Sequence, residues 1–550
     1  MAQSTEYDFI IVGGGTASAL LAHHLSHTPT APSVLLLETG ADNNNHNNTP
    51  QYRRTYAKFC LALTTAALDH TYVSTPQAAL GGRQVGQLRG KGLGWSSQTN
   101  FQLWTLGARE EFEAWAKGVG DQGWGFEGVL QRLKTIERLH FDAAQDGALG
   151  FASPDPAFHG YSGEVDVSIG PDYESEIQHI MQAAVELGSF VNPDPNAGNP
   201  LAFGLPPHSS WKGLRTTSAS AFLRPEQRPA NLTVLTNSRV TRLRFEGDRV
   251  TGVETQDGRY FSCNKEVILA AGAIDTPRLM LLSGVGPAQD LADLGIPVVK
   301  HLPGVGRSLT DHPTAFMTFE MLPGFSDRHQ FDGDAAAMEA AVQQFERDGT
   351  GPLTVHYGSV PLAFFRLDNL SKRPTFGGLG EDVQELLMRP TVPHYEFAMC
   401  GPLLPFGSVE HGGDGGYFNF FVALQNAQAR GSVTLSSSNP ADPPLINPNY
   451  LGHEHDRAVL AEGTAAALAY MRTPTMQKYL KRAIHAPKSA EQHDIEDFLK
   501  ANVAGLWHPS GTMAMGPAHN PNAVVDSKLA VDGFGNLRVA DLSVTPILPR

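Results

Sequence analysis

A glycine-rich turn near the start of the sequence, placed between two apolar segments, constrains the fold most strongly. Residues 8–18 read Asp-Phe-Ile-Ile-Val-Gly-Gly-Gly-Thr-Ala-Ser, and residues 9–12 are typical of a buried parallel strand. Residues 17–25 predict a helix and residues 34–37 a second buried strand, so a βαβ unit spans about residues 7–38. This order of elements, more than the glycines alone, indicates a dinucleotide-binding unit.

The residues of this unit have separate predicted roles. Gly13 permits the tight turn, and Gly15 lets the backbone approach a pyrophosphate. The charge of that pyrophosphate is favoured by the first helical turn, formed by Thr16, Ala17 and Ser18. Glu38, 23 residues after Gly15, is placed to accept hydrogen bonds from an adenosine ribose. Ser18 replaces the usual third glycine, which predicts slightly looser helix packing. An ordinary strand-turn-helix is the alternative, and the spacing to Glu38 disfavours it.

Length, charge and cysteine content restrict the remaining possibilities. With 550 residues, the chain exceeds the size of one hydrophobic core, which predicts two or more lobes. A net charge of −15 disfavours nucleic acid and anionic membranes as partners. No apolar stretch is long enough for a membrane span, and the first residues lack a secretory signal. Cys60, Cys263 and Cys400 suggest neither a disulfide framework nor a zinc cluster. We therefore expect a cytoplasmic location.

Other enzyme classes lack their motifs. The sequence has no G-x-S-x-G nucleophile elbow and no G-x-x-x-x-G-K-[ST] phosphate loop. Residues 453–456, His-Glu-His-Asp, superficially suggest metal ligands. Their context predicts a solvated helix start instead, and we expect no metal.

Several further segments carry a family resemblance. Residues 272–286 read Gly-Ala-Ile-Asp-Thr-Pro-Arg-Leu-Met-Leu-Leu-Ser-Gly-Val-Gly, and residues 302–313 read Leu-Pro-Gly-Val-Gly-Arg-Ser-Leu-Thr-Asp-His-Pro. With residues 508–512 and 537–543, they resemble the glucose-methanol-choline flavin oxidoreductases over nearly the whole chain. Ser308 stands where asparagine is usual. The resemblance implies FAD rather than NAD, and an enzyme that oxidises CH–OH donors.

The resemblance also implies an α/β fold in which an FAD-binding Rossmann-like domain contains an inserted α+β substrate domain with an antiparallel sheet. We expect the FAD-binding domain to comprise residues 1–160, 205–312 and 505–550. The substrate domain would comprise residues 313–504, after a first excursion at residues 161–204.

A second glycine-rich loop, residues 89–100, is similar to the family's first signature but departs from it once. Trp95 follows Gly94 where a second glycine is usual, so the indole either packs in the core or presses on the flavin or its neighbour. Thr99 occupies the position of the histidine that tethers FAD in some members, which predicts non-covalent FAD. Further cofactor contacts implied by the resemblance are Gly94, Ser97, Asn100, Val240, Trp507 and Asp541.

His508 occupies the family's catalytic histidine position. A base must take the hydroxyl proton of an alcohol while the carbon-bound hydrogen leaves as hydride to flavin N5, and imidazole suits that task. Pro509 favours an extended backbone at His508. Taken alone, a histidine beside Trp507 is more often a packed residue. The expected substrate is a small alcohol, with oxygen or another compound as electron acceptor. A second histidine or asparagine is expected just beyond residues 545–550, and the sequence ends at Arg550.

Two alternatives remain open at this point. One is an FAD-containing lyase of the hydroxynitrile type that uses the same histidine. The other is a flavin-binding pseudoenzyme, suggested by Ser18, by Trp95 and by the absent second catalytic residue. The sequence does not identify the alcohol.

Overall fold

A computed structural model describes residues 5–42, 68–142, 150–169, 174–326, 334–348, 350–354, 360–400 and 416–549. Two large sheets organise this part of the chain. One is mostly parallel and contains the glycine-rich turn, and the other is mostly antiparallel. The expected fold class, α/β with a second domain that carries an antiparallel sheet, is confirmed.

The first sheet, here called the nucleotide sheet, has seven strands. Their order is Leu232–Leu235, Val34–Leu37, Glu6–Val12, Tyr260–Leu269, Arg249–Thr255 and Val240–Glu246, with Leu537–Val539 also paired to Tyr260–Leu269. Ile10 and Leu35 point into one core, while Ile11 and Leu36 point into another. Because both faces are covered, the central strands read as continuous apolar runs rather than as an alternating pattern.

Helices cover both faces of the nucleotide sheet. Thr16–Ser26 packs on one face, and the other core includes side chains of Arg109–Val119, Phe126–Ile136 and Gly272–Leu282. The parallel strands Glu6–Val12 and Tyr260–Leu269 therefore end side by side, where Ala270 N donates to Val12 O at 2.8 Å. Loops at this edge supply the predicted site residues.

The second sheet has eight strands. Its order is Leu480–His485, Pro313–Met321, Tyr417–Leu424, Tyr395–Cys400, Leu362–Phe365, Ala202–Gly204 and Val191–Asn192, with Ala504–Gly505 also paired to Pro313–Met321. Helix Glu454–Tyr470 packs against it, and Phe418, Phe420 and Tyr470 are fully buried between them. The domain boundaries given above stay a prediction.

The remaining helices and small sheets lie outside the two large sheets. The other helices are Ser96–Thr99, Glu176–Glu186, Ser218–Phe222, Ala288–Asp293, Ala335–Asp348, Pro374–Gly377, Glu381–Met388, Pro474–Tyr479 and Gln492–Asn502. Short 3-10 helices are Ala78–Leu80, Gln122–Trp124, Pro225–Gln227, Pro352–Thr354, Leu370–Lys372 and Leu542–Val544. The small sheets pair Tyr72–Val73 with Gly86–Gln87, Glu137–His140 with Val165–Ser168, Ser210–Trp211 with Leu214–Arg215, Val285–Gly286 with Lys300–His301, and Gly431–Thr434 with both Arg307–Leu309 and Leu445–Asn447.

The segment at residues 453–456 corrects one expectation. His453 begins helix Glu454–Tyr470 and accepts a hydrogen bond from His455 N at 3.1 Å, as a helix start predicts. The prediction of solvation is wrong, because His455 and Asp456 are buried. The Asp456 carboxylate accepts hydrogen bonds from Gln428 N and Ala429 N, both at 2.8 Å, so it fastens a neighbouring loop. No group of three His, Cys, Asp or Glu side chains suited to a metal occurs among the described residues.

Two of the three cysteines are visible in this structure. Cys263 is buried with a free thiol and Cys400 is buried, while Cys60 lies outside the described residues. Within the described ranges, none of the helices combines the length and the apolar character that crossing a bilayer requires.

Candidate active site

The glycine-rich turn is tight enough to require glycine at its first position. Gly13 has a φ of +101°, and its N–H donates to Leu37 O at 2.8 Å. A Cβ atom at this position would lie 2.5 Å from Ala270 O. Gly13 therefore follows the strand Glu6–Val12 and lies against the ends of both neighbouring strands, where there is no space for a side chain.

Glu38 is buried and is held by backbone amides. Its Oε2 accepts from Gly14 N at 2.7 Å, and its Oε1 accepts from Gly40 N at 2.6 Å and Gly92 N at 3.2 Å. A carboxylate offers about four acceptor positions, so one remains for a further donor such as a ribose hydroxyl. The contact to Gly92 also connects the two glycine-rich loops.

A cavity of about 700 Å³ lies beside this turn. Gly13 and Val240 line it, together with Leu37, His70 and Trp95. Trp95 Nε1 and His70 Nε2 are buried nitrogens without a hydrogen-bond partner in the described structure. The size is typical of a small-molecule site, and the unpaired His70 Nε2 offers a polar contact to a ligand. These features fit the adenosine portion of FAD.

The first turn of helix Thr16–Ser26 faces away from the core on one side. Thr16 and Ala17 are exposed, whereas Ser18 is fully buried. The Ser18 hydroxyl donates to Gly15 O at 3.1 Å. A small side chain is thus accommodated where the motif usually has its third glycine.

The second loop is fastened to the first. Gly94 N donates to Gly14 O at 2.8 Å, and Gly94 has a φ of +86°. Ser97 Oγ donates to Gly94 O at 2.5 Å and accepts from Ser218 N at 3.1 Å. Asn100 Oδ1 accepts from Arg215 Nη1 at 2.8 Å. Ser97 and Asn100 therefore shape the loop through contacts within the protein.

The Trp95 indole lies against the predicted cofactor site and not in the core. Its indole contacts the faces of Gly15 and Gly272, where Cβ atoms would lie 3.1 Å and 2.7 Å from the ring. The ring is only half-buried and belongs to the cavity wall, not to the core. The indole thus presses on the glycines of the predicted cofactor site.

Asp541 links the nucleotide sheet to helix Gly272–Leu282. Its Oδ2 accepts from Gly272 N at 2.8 Å and from Thr276 Oγ1 at 2.6 Å, and its Oδ1 accepts from Ser543 N at 2.8 Å. Burial raises the pKa of Asp541, while these hydrogen bonds favour the charged form and oppose the rise. Asp541 is therefore a polar junction between the segment after the last strand and helix Gly272–Leu282.

His508 lies in a loop held by the buried carboxylate of Asp311 and by the half-buried guanidinium of Arg89. Its N–H donates to Asp311 Oδ1 at 2.8 Å, and Asp311 Oδ2 accepts from Tyr450 OH at 2.7 Å. The preceding carbonyl, of Trp507, accepts from Arg89 Nη2. His508 is exposed to solvent on one side, and its ring contacts His312 on another. Desolvation, with a smaller effect of the Arg89 cation, lowers the pKa of His508 to about 4.

A second histidine contacts the first. His312 Nδ1 and His508 Nδ1 are 3.0 Å apart, and their rings are nearly perpendicular. His312 is buried, and its Nε2 has no partner among the described residues. Burial, and secondarily the charge of His508, lower the pKa of His312 well below its usual value. His312 is therefore neutral near pH 7 and available as an acceptor.

The predicted residues thus occupy two connected regions. Gly13 and Val240 line the cavity, and Gly15 and Glu38 belong to the adjoining glycine-rich turn and strand end, while Trp507 and His508 lie in a separate loop. Thr512 Oγ1 connects the loop to helix Gly272–Leu282 by donating to Ala273 O at 2.7 Å. The sequence interpretation assigned no role to His312, Asp311, Arg89 or Tyr450. The signal for the first two was residues 302–313, which carried the resemblance.

These features define a two-domain dinucleotide-binding protein with a histidine pair beside the second domain. Comparison with known families matches the amino-terminal GMC oxidoreductase domain at residues 7–314 and the carboxyl-terminal GMC oxidoreductase domain at residues 427–550. The chain belongs to the GMC oxidoreductase family, whose members use FAD to oxidise CH–OH donors.

Individual relatives span almost the whole chain. The glucose methanol choline oxidoreductase atC of Aspergillus terreus is 30% identical over 100% of this chain and 90% of its own length. The FAD, quinone glucose dehydrogenase of Drosophila melanogaster is 31% identical over 98% of this chain and 83% of its own. Formate oxidase superposes with a TM-score of 0.87 at 24% identity, covering 100% of this chain and 95% of the other, which supports the fold.

Proposed function

We propose that this protein oxidises a small alcohol to a carbonyl compound with FAD, and that His508 is the general base. When bound, FAD supplies the hydride acceptor. The observation that carries the proposal is the His312–His508 contact, because it gives His508 Nδ1 a hydrogen-bond partner and leaves Nε2 for the substrate. For His508 Nε2 to accept the alcohol proton, its Nδ1 must carry the hydrogen and donate to His312 Nδ1.

The surroundings of His508 support this arrangement. Its low pKa keeps the ring unprotonated near neutral pH. A low pKa also weakens the base, so we propose that the hydroxyl proton leaves together with the carbon-bound hydrogen rather than before it. His312 is held neutral and continues to accept from Nδ1 after His508 has been protonated. Asp311 fixes the backbone of both histidines, since its Oδ1 also accepts from His312 N at 2.8 Å.

The cofactor proposal has its own support. Gly13, Gly15 and the first turn of helix Thr16–Ser26 suit a diphosphate, and the Glu38 carboxylate suits a ribose. We propose that FAD is non-covalent, because the tether position is Thr99, which is not a nucleophilic histidine. Oxygen or another acceptor would reoxidise the flavin. A cytoplasmic location stays a proposal, supported by the buried free thiol of Cys263.

Anaerobic reduction by a panel of alcohols tests the function. We expect an alcohol to bleach the flavin absorbance. A lyase or a pseudoenzyme would leave the absorbance unchanged, because neither reduces the flavin. His508→Gln should retain FAD and reduce it about 10²- to 10⁴-fold more slowly, the usual value of general-base assistance. His519→Gln, at an exposed position, is the matched control. A rate for His508→Gln within about tenfold of the natural protein would show that another group is the base.

A further inference from the structure

Trp95 has a backbone conformation that suits glycine. Its φ is +43° and its ψ is −124°. A bulky residue at positive φ is an outlier, because its Cβ is crowded by the backbone. The conformation is nevertheless fixed on both sides, since Trp95 N donates to Gly92 O at 3.0 Å and Trp95 O accepts from Gln98 N at 2.9 Å. The side chain is consequently directed by the loop.

The loop directs the indole onto the bare faces of two glycines. Cε3 lies 3.1 Å from the Cβ position of Gly15, and Cζ3 lies 2.7 Å from that of Gly272. Gly15 is the residue that a dinucleotide motif keeps free of a side chain so that a diphosphate can approach the backbone. The amide-rich start of helix Thr16–Ser26 follows directly. The indole therefore covers the surface that this motif reserves for the diphosphate.

The indole nitrogen, Trp95 Nε1, makes no favourable polar contact with the described residues in this position. Trp95 Nε1 is buried and makes no hydrogen bond within the described part of the chain. A buried unpaired donor is unfavourable. His70 presents only an aromatic contact, with ring centroids 5.7 Å apart and an interplanar angle of 80°. The indole contacts the two glycines and the His70 ring without a hydrogen bond of its own to a described residue.

We propose that the Trp95 indole and the diphosphate of FAD compete for the space beside Gly15 and Gly272, so that Trp95 is a steric gate which must rotate before the cofactor is held. This inference rests on the proposed use of FAD. The apparent affinity of a site falls by the fraction of time that it is accessible. An indole that covers the site for about 90–99% of the time would weaken FAD binding about 10- to 100-fold.

The test is an FAD titration of the flavin-free full-length chain, followed by flavin and tryptophan fluorescence. We expect Trp95→Gly and Trp95→Ala to bind FAD about 10- to 100-fold more tightly than the natural chain, with Trp95→Phe in between. Alanine removes the indole but keeps the Cβ, so equal gains for glycine and alanine identify the indole as the cause. Trp211→Ala is the control, because Trp211 is an exposed indole in a separate hairpin.

Any other outcome of the FAD titration would refute the proposal that Trp95 is a steric gate. Dissociation constants for the glycine and alanine variants within about twofold of the natural value would refute competition and leave the FAD assignment intact. A gain for glycine alone would assign the effect to backbone strain. Weaker binding by both variants would show that the indole supports the cofactor. Failure of every variant to bind FAD would refute the proposed function and the gate together.

Discussion

Replacement of His312 tests the most specific feature of the proposed mechanism. His312→Leu removes the acceptor that lies 3.0 Å from His508 Nδ1 and substitutes an apolar side chain in a buried position. The His508 Nδ1–H group then lacks its partner, and the ring is free to adopt the tautomer with hydrogen on Nε2. Leaving a buried donor unpaired costs about 1–3 kcal/mol. If that cost falls on proton removal, flavin reduction slows about 5- to 150-fold.

The assay is anaerobic flavin reduction by a saturating alcohol in a stopped-flow instrument, with FAD affinity measured in parallel. A positioning role predicts a slower reduction at unchanged FAD affinity. His312→Gln retains an acceptor oxygen and should recover part of the rate. His519→Leu, at an exposed position, controls for loss of a histidine.

A double variant separates positioning from general damage. If His312 acts through His508, then His312→Leu in a His508→Gln background causes little further loss, because the two residues act as one unit. Additive losses in the double variant would refute the reasoning. So would a single-variant rate within about twofold of the natural protein.

Two further predictions concern the cofactor site and pH. Glu38→Gln replaces one acceptor oxygen by an amide donor that faces a backbone N–H. We therefore expect FAD binding at least about tenfold weaker, and an unfolding free energy lower by about 1.5–3 kcal/mol in chemical denaturation. Unchanged binding and stability would contradict the role assigned to Glu38. Burial lowers the pKa of His394 and His455 to about 4, below the unfolded value of about 6.5, so the folded state resists protonation. The contribution of these two histidines to the unfolding free energy is therefore fully present above about pH 6.5 and is lost as the pH falls toward 4. The loss is up to about 2.7 kcal/mol per pH unit for the pair. Equal denaturation midpoints at pH 7 and pH 5.5 would contradict this prediction.

The sequence by itself determined the nucleotide sheet and its glycine-rich turn. Residues 9–12 and 34–37 were predicted as buried strands, and both lie in the centre of that sheet. Local signals suffice here because a strand covered on both faces must be apolar at every position, and a tight turn must contain glycine. Long motifs also identified the family, since their spacing is retained across the whole chain.

Only the tertiary structure decided which side chains meet. His312 and His508 are 196 positions apart, and their contact arises because the loop after residue 505 packs against the start of the strand Pro313–Met321. The Asp456 carboxylate binds the backbone of a distant loop at residues 428–429. The Trp95 indole contacts Gly15 and Gly272 because two loops from different parts of the sequence converge at one sheet edge. Contacts between distant segments follow from packing, and no local pattern of residues encodes them.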